Sequence, residues 1–277
     1  MSASIFSHRG PAAGLPAPPA AIWHWRPEQA DKVLSLRPLE SQRVDAGPWF
    51  SGLSLPLRQA ILRVARVQHV KRGVTLLDAA SVATHWLGVA GGALSLVRSG
   101  QDGRSHTLEL LGPGDWYGDI ALLDGSPADL GVVAHVHSTV LSVPRDALLH
   151  LVQAHSDFKP ALLQLDCRRL RHMFRRWEEV QTLPLPQRVA LQLQRLLRQF
   201  GRPVPMAPAT DVARQIEVAL SQGDLASLLW ASRQRINSVL RQLQAAGILG
   251  TSHGRILVKL PKALDDVAQG RRVLADE

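Results

Sequence analysis

The chain has 277 residues, 45% hydrophobic and 20% charged, long enough for two domains with real cores, and the balance argues against wholesale disorder, collagen and a disulfide scaffold. Lys and Arg number 32 against 23 Asp and Glu, and the net +9 invites a polyanionic partner. A single cysteine, Cys167, excludes an internal disulfide and a cysteine-based zinc or iron-sulfur site, and reads as a buried or half-buried helix thiol.

Residues 1–45 include PAAGLPAPPA and lack sustained periodicity, which predicts a mobile tail anchored only by Trp23 and Trp25. Leu57, Ile61, Leu62 and Ala65 then fall at helical spacing within 56–67. From 69 to 143 the pattern changes to short runs between turn residues: LLDAA, WLGVA, ALSLV, HTLELL, GVVAHV and TVLSV. Seven or eight close strands of this kind predict an antiparallel roll. Pro144 opens a short helix over 145–152, and 158–180 reads as the longest helix. Along it Leu163, Leu170 and Trp177 recur every seven residues with Met173 beside them, a stripe suited to its own domain or to a second copy of the helix. Arg168, Arg169, Arg171, Arg175 and Arg176 line the other faces and read as solvated. A further helix covers 187–200, GRPVPMAPATD is a break, and Ile216, Val218 and Leu220 alternate as a strand over 215–220.

The positive excess concentrates near the C-terminal end. Between 221 and 262 the bases are Arg233, Arg235, Arg241, Arg255, Lys259 and Lys262, and Asp224 is the sole acid. The run QGDLASLLWASRQRINSVLRQL reads as two helices joined by a tight turn. Leu225, Leu228 and Leu229 face inward on the first, Ala226 admits the second, Ser232 caps the second, and Ile236, Val239, Leu240 and Leu243 form its buried side. The opposite side presents Arg233, Gln234, Asn237, Ser238 and Arg241. Arg pairs bidentately with guanine, and Gln or Asn with adenine, so this set can read bases. Arg233 and Gln234 lead as base contacts with Asn237 and Ser238 next, while Ser232, Arg235 and the wing residues Ser252 and His253 hold phosphates. Gly247 closes the helix, and 248–249 with 255–259 form a hairpin around Ser252, His253 and Gly254, which makes a winged helix. Trp230 stands where the turn favours glycine, so the turn is expected to be remodelled or strained.

With LGPGDWYGDIALLDGSP, the helix after Pro144, the long helix and LASLLWASRQRINSVLRQLQAAGIL in place, the chain resembles the Crp/Fnr family of transcription regulators over about 46–262. The resemblance implies an α+β fold: an N-terminal cyclic-nucleotide-binding-like β-roll (46–153), a dimerisation helix (154–183), a winged helix (184–262) and a C-terminal tail (263–277). It implies a homodimer on a palindromic double-stranded DNA site, with RNA polymerase and an unidentified small-molecule effector as further candidate partners, no membrane and no cofactor. Family members that bind cyclic nucleotides carry Gly-Glu in the pocket turn and Arg-Ser or Arg-Thr after a proline. Here Gly118 precedes Asp119, Ile120 and Ala121, and Pro127 precedes Ala128 and Asp129. The phosphate cation is missing and a carboxylate stands beside its place, so cyclic AMP is not expected to bind in that mode.

Three rival readings stand beside this one. His135 and His137 in HVH would converge on one metal if they shared a strand face, as in a cupin enzyme, but no third ligand shows matching spacing. Haem held through a histidine is a second rival, and an interaction module that uses the β-roll and winged helix as protein contacts is a third, which the basic recognition face opposes. No apolar run approaches the ~18 residues that cross a bilayer, and MSASIFSHRG lacks a secretory start, so the cytoplasm is the expected compartment. No catalytic constellation stands out: Asp115, Asp119 and Asp124 share a glycine-rich turn region and read as turn formers.

Overall fold

Alternating apolar runs build the N-terminal half of the computed structural model, which describes residues 36–100, 105–204, 213–216, 219–252 and 255–274. Eight strands fall between 66 and 144: β1 Arg66–Val70, β2 Thr75–Leu77, β3 His85–Gly91, β4 Leu94–Ser99, β5 Ser105–Leu111, β6 Trp116–Tyr117, β7 Gly131–Ala134 and β8 Ser138–Pro144. All pair antiparallel, in two four-stranded sheets ordered β1-β8-β3-β6 and β2-β7-β4-β5, the roll that the spacing predicts. Their shared interior is aromatic. Trp86 and Trp116 lie 4.2 Å apart between ring centroids, Phe50 stacks on Trp116 at 5.5 Å, and Phe158 reaches Trp86 at 5.9 Å. Gly88 makes this possible, since a Cβ there would lie 2.8 Å from the Trp116 ring.

Helices close the roll. α1 Pro38–Asp45, α2 Leu55–Val64, the short α3 Asp119–Asp124 and α4 Arg145–Ala154 flank it, and α5 Phe158–Thr182 leads out of it. Only the start of α5 is core: Phe158 and Leu162 are buried, and Trp49 ties the helix down by donating Nε1–H to the Ala161 carbonyl at 2.7 Å. α2 begins at Leu55 because Ser54 caps it, and ends before 67 because Arg66 enters β1.

The C-terminal half is a four-helix core with a small sheet. α6 Leu185–Phe200 buries Val189, Leu193, Leu196 and Phe200 against α7 Gln222–Leu229, α8 Arg233–Ala245 and α9 Pro261–Ala268. β9 Gly201–Val204, β10 Ala213–Ile216, β11 Leu249–Ser252 and β12 Arg255–Val258 make one sheet in the order β11-β12-β10-β9.

Several expectations need correction. Helix α1 occupies the end of the stretch expected as a tail; residues 1–35, with Trp23 and Trp25, lie outside the described residues. Its register places Val44 in the roll core and sends Glu40 to the Thr139 hydroxyl at 2.7 Å. The 263–277 stretch likewise begins inside α9, whose Leu264 and Val267 are buried against α6. β10 starts earlier than the expected 215–220 strand, because its partners β9 and β12 pair with 213–216; Val218 lies outside the described residues. β9 falls within a stretch read as loop, its proline sitting on an edge strand where a missing N–H costs no ladder bond. Cys167 is exposed on α5, not buried.

Candidate functional site

Two consecutive helix endings shape the reading head. Ser221 starts α7 with a reciprocal cap: its Oγ accepts from Asp224 N at 3.0 Å while its own N–H donates to Asp224 Oδ2 at 2.7 Å. The helix stops when Ala231 N–H reaches the Ala226 carbonyl at 3.0 Å and Trp230 N–H reaches Ser227 at 3.2 Å. That pattern demands a left-handed residue, and Trp230 supplies it at φ 53° and ψ 46°. The turn keeps the glycine geometry at a cost of about 1–2 kcal/mol for a residue with a Cβ. α8 then begins at Ser232, whose Oγ accepts from Arg235 N at 3.3 Å. It ends in the same motif, Gly247 N–H on Gln244 and Ile248 N–H on Leu243, with Gly247 at φ +71°.

The buried side of α8 is Ile236, Val239 and Leu243, with Leu240 half-buried. Arg233, Gln234, Arg235, Ser238 and Arg241 are exposed along the rest of it. Asn237 is half-buried, and its Oδ1 accepts from Gln222 Nε2 at 2.9 Å, so part of its hydrogen-bonding capacity braces α7. Behind α8 the hairpin of β11 and β12 pairs Leu249 with Val258 through Ser252 with Arg255. Backbone atoms of Ser252 lie in that strand; its side chain and His253 lie outside what the structure describes.

The pocket turn has its own geometry. Gly118 at φ +102° hands the chain from β6 into α3, burying Asp119 completely. Arg169 of α5 donates to Asp119 Oδ2 at 2.7 Å, to Asp166 Oδ1 at 2.8 Å and to the Trp116 carbonyl. Burial pulls the Arg169 pKa down, but the two carboxylates outweigh it and raise it. Burial and the Asp119 charge push Asp166 up to about 6. Ile120 is exposed, Ala121 half-buried, Ala128 buried, and Asp129 points into solvent.

Arg169 therefore is not a solvated charge, and neither is Arg176. Arg176 pairs with Glu109 of β5 and donates to the Leu228 carbonyl at the end of α7 at 2.6 Å. Arg169, His172 and Arg176 recur at i, i+3 and i+7, the spacing of one helix face, and that periodicity was the available signal. On another face Leu163, Leu170, Met173, Phe174 and Trp177 are exposed, Trp177 at 66%. Ala93 and Leu110 of the roll join the hydrophobic cluster of α6 to α8, and Gln199 of α6 donates to the Leu110 carbonyl at 3.2 Å and to Asp115. Burial pushes half-buried Asp115 up to about 6 despite hydrogen bonds from Gly112 and Gln199.

His135 and His137 do not alternate along a strand: β7 stops at Ala134 and β8 starts at Ser138. His135 Nε2 meets the Ala219 carbonyl at 2.8 Å, which can only accept, so that nitrogen carries a proton and cannot ligate a metal. Among the described residues no three His, Cys, Asp or Glu side chains are grouped to hold an ion, and no helix is long and apolar enough to cross a membrane.

A β-roll followed by a long helix and a winged helix is the architecture of a regulator that joins a cyclic-nucleotide-binding-type domain to a DNA-binding head. Residues 67–155 match the cyclic nucleotide-binding domain and 187–267 the Crp-like helix-turn-helix domain, together more than half of the chain. The protein belongs to the Crp/Fnr family of transcription regulators, whose members bind DNA, act as dimers and are not enzymes. Over 170 residues it is 26% identical to the "CRP-like cAMP-activated global transcriptional regulator" of Mycobacterium tuberculosis, covering 61% of this chain and 73% of that one. Over 182 residues it is 29% identical to the "Cyclic AMP receptor protein" of Thermus thermophilus, covering 66% and 78%. In fold it is similar to FixK2 of Bradyrhizobium japonicum, with a TM-score of 0.62 at 22% identity, covering 76% of this chain and all of that one.

Proposed function

We propose that this protein is a cytoplasmic, sequence-specific DNA-binding regulator that works as a homodimer and does not bind cyclic AMP in the mode its fold was built for. The observation that carries the reading is the outward face of α8, where Arg233, Gln234, Ser238 and Arg241 stand exposed on a helix capped by Ser232. Arg233 and Gln234 contact base edges, with Asn237 and Ser238 next. Ser232, Arg235, Ser252 and His253 hold the backbone. The roll of 46–153, the helix of 154–183 and the winged helix of 184–262 divide the labour of sensing, pairing and reading.

Pairing runs through Leu163, Leu170, Met173 and Trp177, an apolar stripe too exposed to be left to water. In the pocket, Gly118 to Ala121 form the turn, but the two positions after Pro127 offer a methyl group at Ala128 and a negative charge at Asp129 in place of a phosphate-binding cation. The carboxylate that the family resemblance would set against a ribose, Asp119, is already held by Arg169. Two relatives carry cyclic AMP in their names; these departures separate the present chain from that chemistry.

The experiment is selection of bound sequences from a random duplex library by nucleotide-free protein. A palindrome with half-sites about one helical turn apart is the expected product. Enrichment only after cyclic AMP is added would overturn the pocket reading, and no enrichment under either condition would overturn the DNA reading.

A further inference from the structure

Trp230 is 70% exposed, and among the described residues its indole has no ring or hydrogen-bond partner. The two hydrogen bonds of the turn, to Ala226 and Ser227, are made by backbone groups that any residue supplies. At φ +53° glycine would remove the strain that a residue with a Cβ carries there. Most of the indole is therefore left to solvent. Its place is at the edge of the reading head, two residues before the Ser232 cap. Two arginines belong to the segments beside it. Arg188 of α6 is bonded to the adjacent Leu229 carbonyl, and Arg235 is exposed on the first turn of α8. After burial, the Arg235 charge is the next influence lowering the Arg188 pKa.

Resting on the reading of α8 as a DNA-reading helix, we infer that Trp230 is a further DNA contact, laying its ring on a deoxyribose at the groove edge and donating its indole N–H to a phosphate oxygen. An indole combines an apolar face with a single donor at its rim, which matches a sugar beside a phosphate. The flanking arginines bring the polyanion to it. A contact of this kind adds affinity on every sequence and carries no base preference.

The test compares wild type, Trp230→Gly and Trp230→Phe on a random-sequence duplex about three helical turns long, across a range of salt concentrations. Trp230→Gly should bind about five- to tenfold more weakly at each salt, and Trp230→Phe should fall between. The slope of affinity against salt should stay the same, because an indole displaces no counterion. The urea midpoint of Trp230→Gly should rise, as the strained turn relaxes. Equal binding by Trp230→Gly and wild type would overturn the inference, whether or not transcription by purified polymerase then falls; a fall would make Trp230 a polymerase contact. A lowered midpoint together with weaker binding would make the indole structural and overturn it as well. If wild type binds no duplex at low salt, the reading of α8 itself has failed, and that result appears before any variant is compared.

Discussion

Asp119 has no exposed surface, and its charge is tolerable because Arg169 reaches it from another element. Removing one partner of such a pair leaves the other buried and uncompensated, so Arg169→Met should destabilise the fold by about 3 kcal/mol in urea unfolding. Adding Asp119→Asn should return much of the loss, since the double variant buries no lone charge. Asp115 works in the opposite direction. Its carboxyl titrates near 6 when folded against 3.8 as a free group, so the folded state binds the proton more tightly and stability falls as pH rises from about 4 to about 6. Asp115→Asn should flatten that part of the pH-stability curve, measured by thermal unfolding across the window. Unchanged curvature would show that the Asp115 pKa is not raised in the folded state. On the reading face, Arg233→Ala should cost about 1–3 kcal/mol in DNA affinity and relax preference at one base position. A uniform loss over all sequences would reduce Arg233 to a phosphate contact.

At the scale of elements, the two helices of the reading head end in the same backbone motif with opposite residue choices, Trp230 in one and Gly247 in the other. A Cβ at Gly247 would meet nothing within 4 Å, so its cost is conformational alone. Gly247→Ala should therefore destabilise by about 1 kcal/mol without altering the packing of Leu243 on Ile248, read by chemical denaturation. The Ser232 cap and the buried faces of α7 and α8 were legible in sequence, because a cap and the leucine spacing act within a turn or two of themselves, whereas the Ser221 cap of α7 emerged only with the structure. The glycine-like path at Trp230 was legible only as a conflict: local propensity opposes it, and the backbone bonds that overrule propensity form when α7 and α8 pack. Helices α1 and α9 were not legible. Each is eight residues long, and each is held by contacts to distant partners, Val44 to the roll and Leu264 to α6. Nor was β9, whose Pro203 counts against a strand until an edge position is known to receive it.

Across the whole molecule, charge and apolar surface sort onto different faces of α5. The face with Arg169, His172 and Arg176 holds the roll and the end of α7, while the face with Leu163, Leu170, Met173 and Trp177 stays bare. If that bare face joins two copies, Leu170→Glu should shift wild-type dimers to monomers in sedimentation and weaken binding to a two-half-site duplex far more than to a single half-site. A dimer that survives the substitution would move the interface elsewhere.

The run of strands, the long helix, the paired helices and the polar face of α8 follow from residue pattern alone, because alternation, heptad spacing and caps are local properties that a chain displays before it folds. The departures after Gly118 and Pro127 are equally a matter of residue identity. What only the tertiary structure decided is which charges meet. Arg169 finds Asp119 fifty residues away, Arg176 finds Glu109 and the Leu228 carbonyl, and Gln199 finds Asp115. No local pattern encodes those pairings: each depends on the direction in which α5 and α6 leave the roll, and that direction is set by packing between elements far apart in sequence.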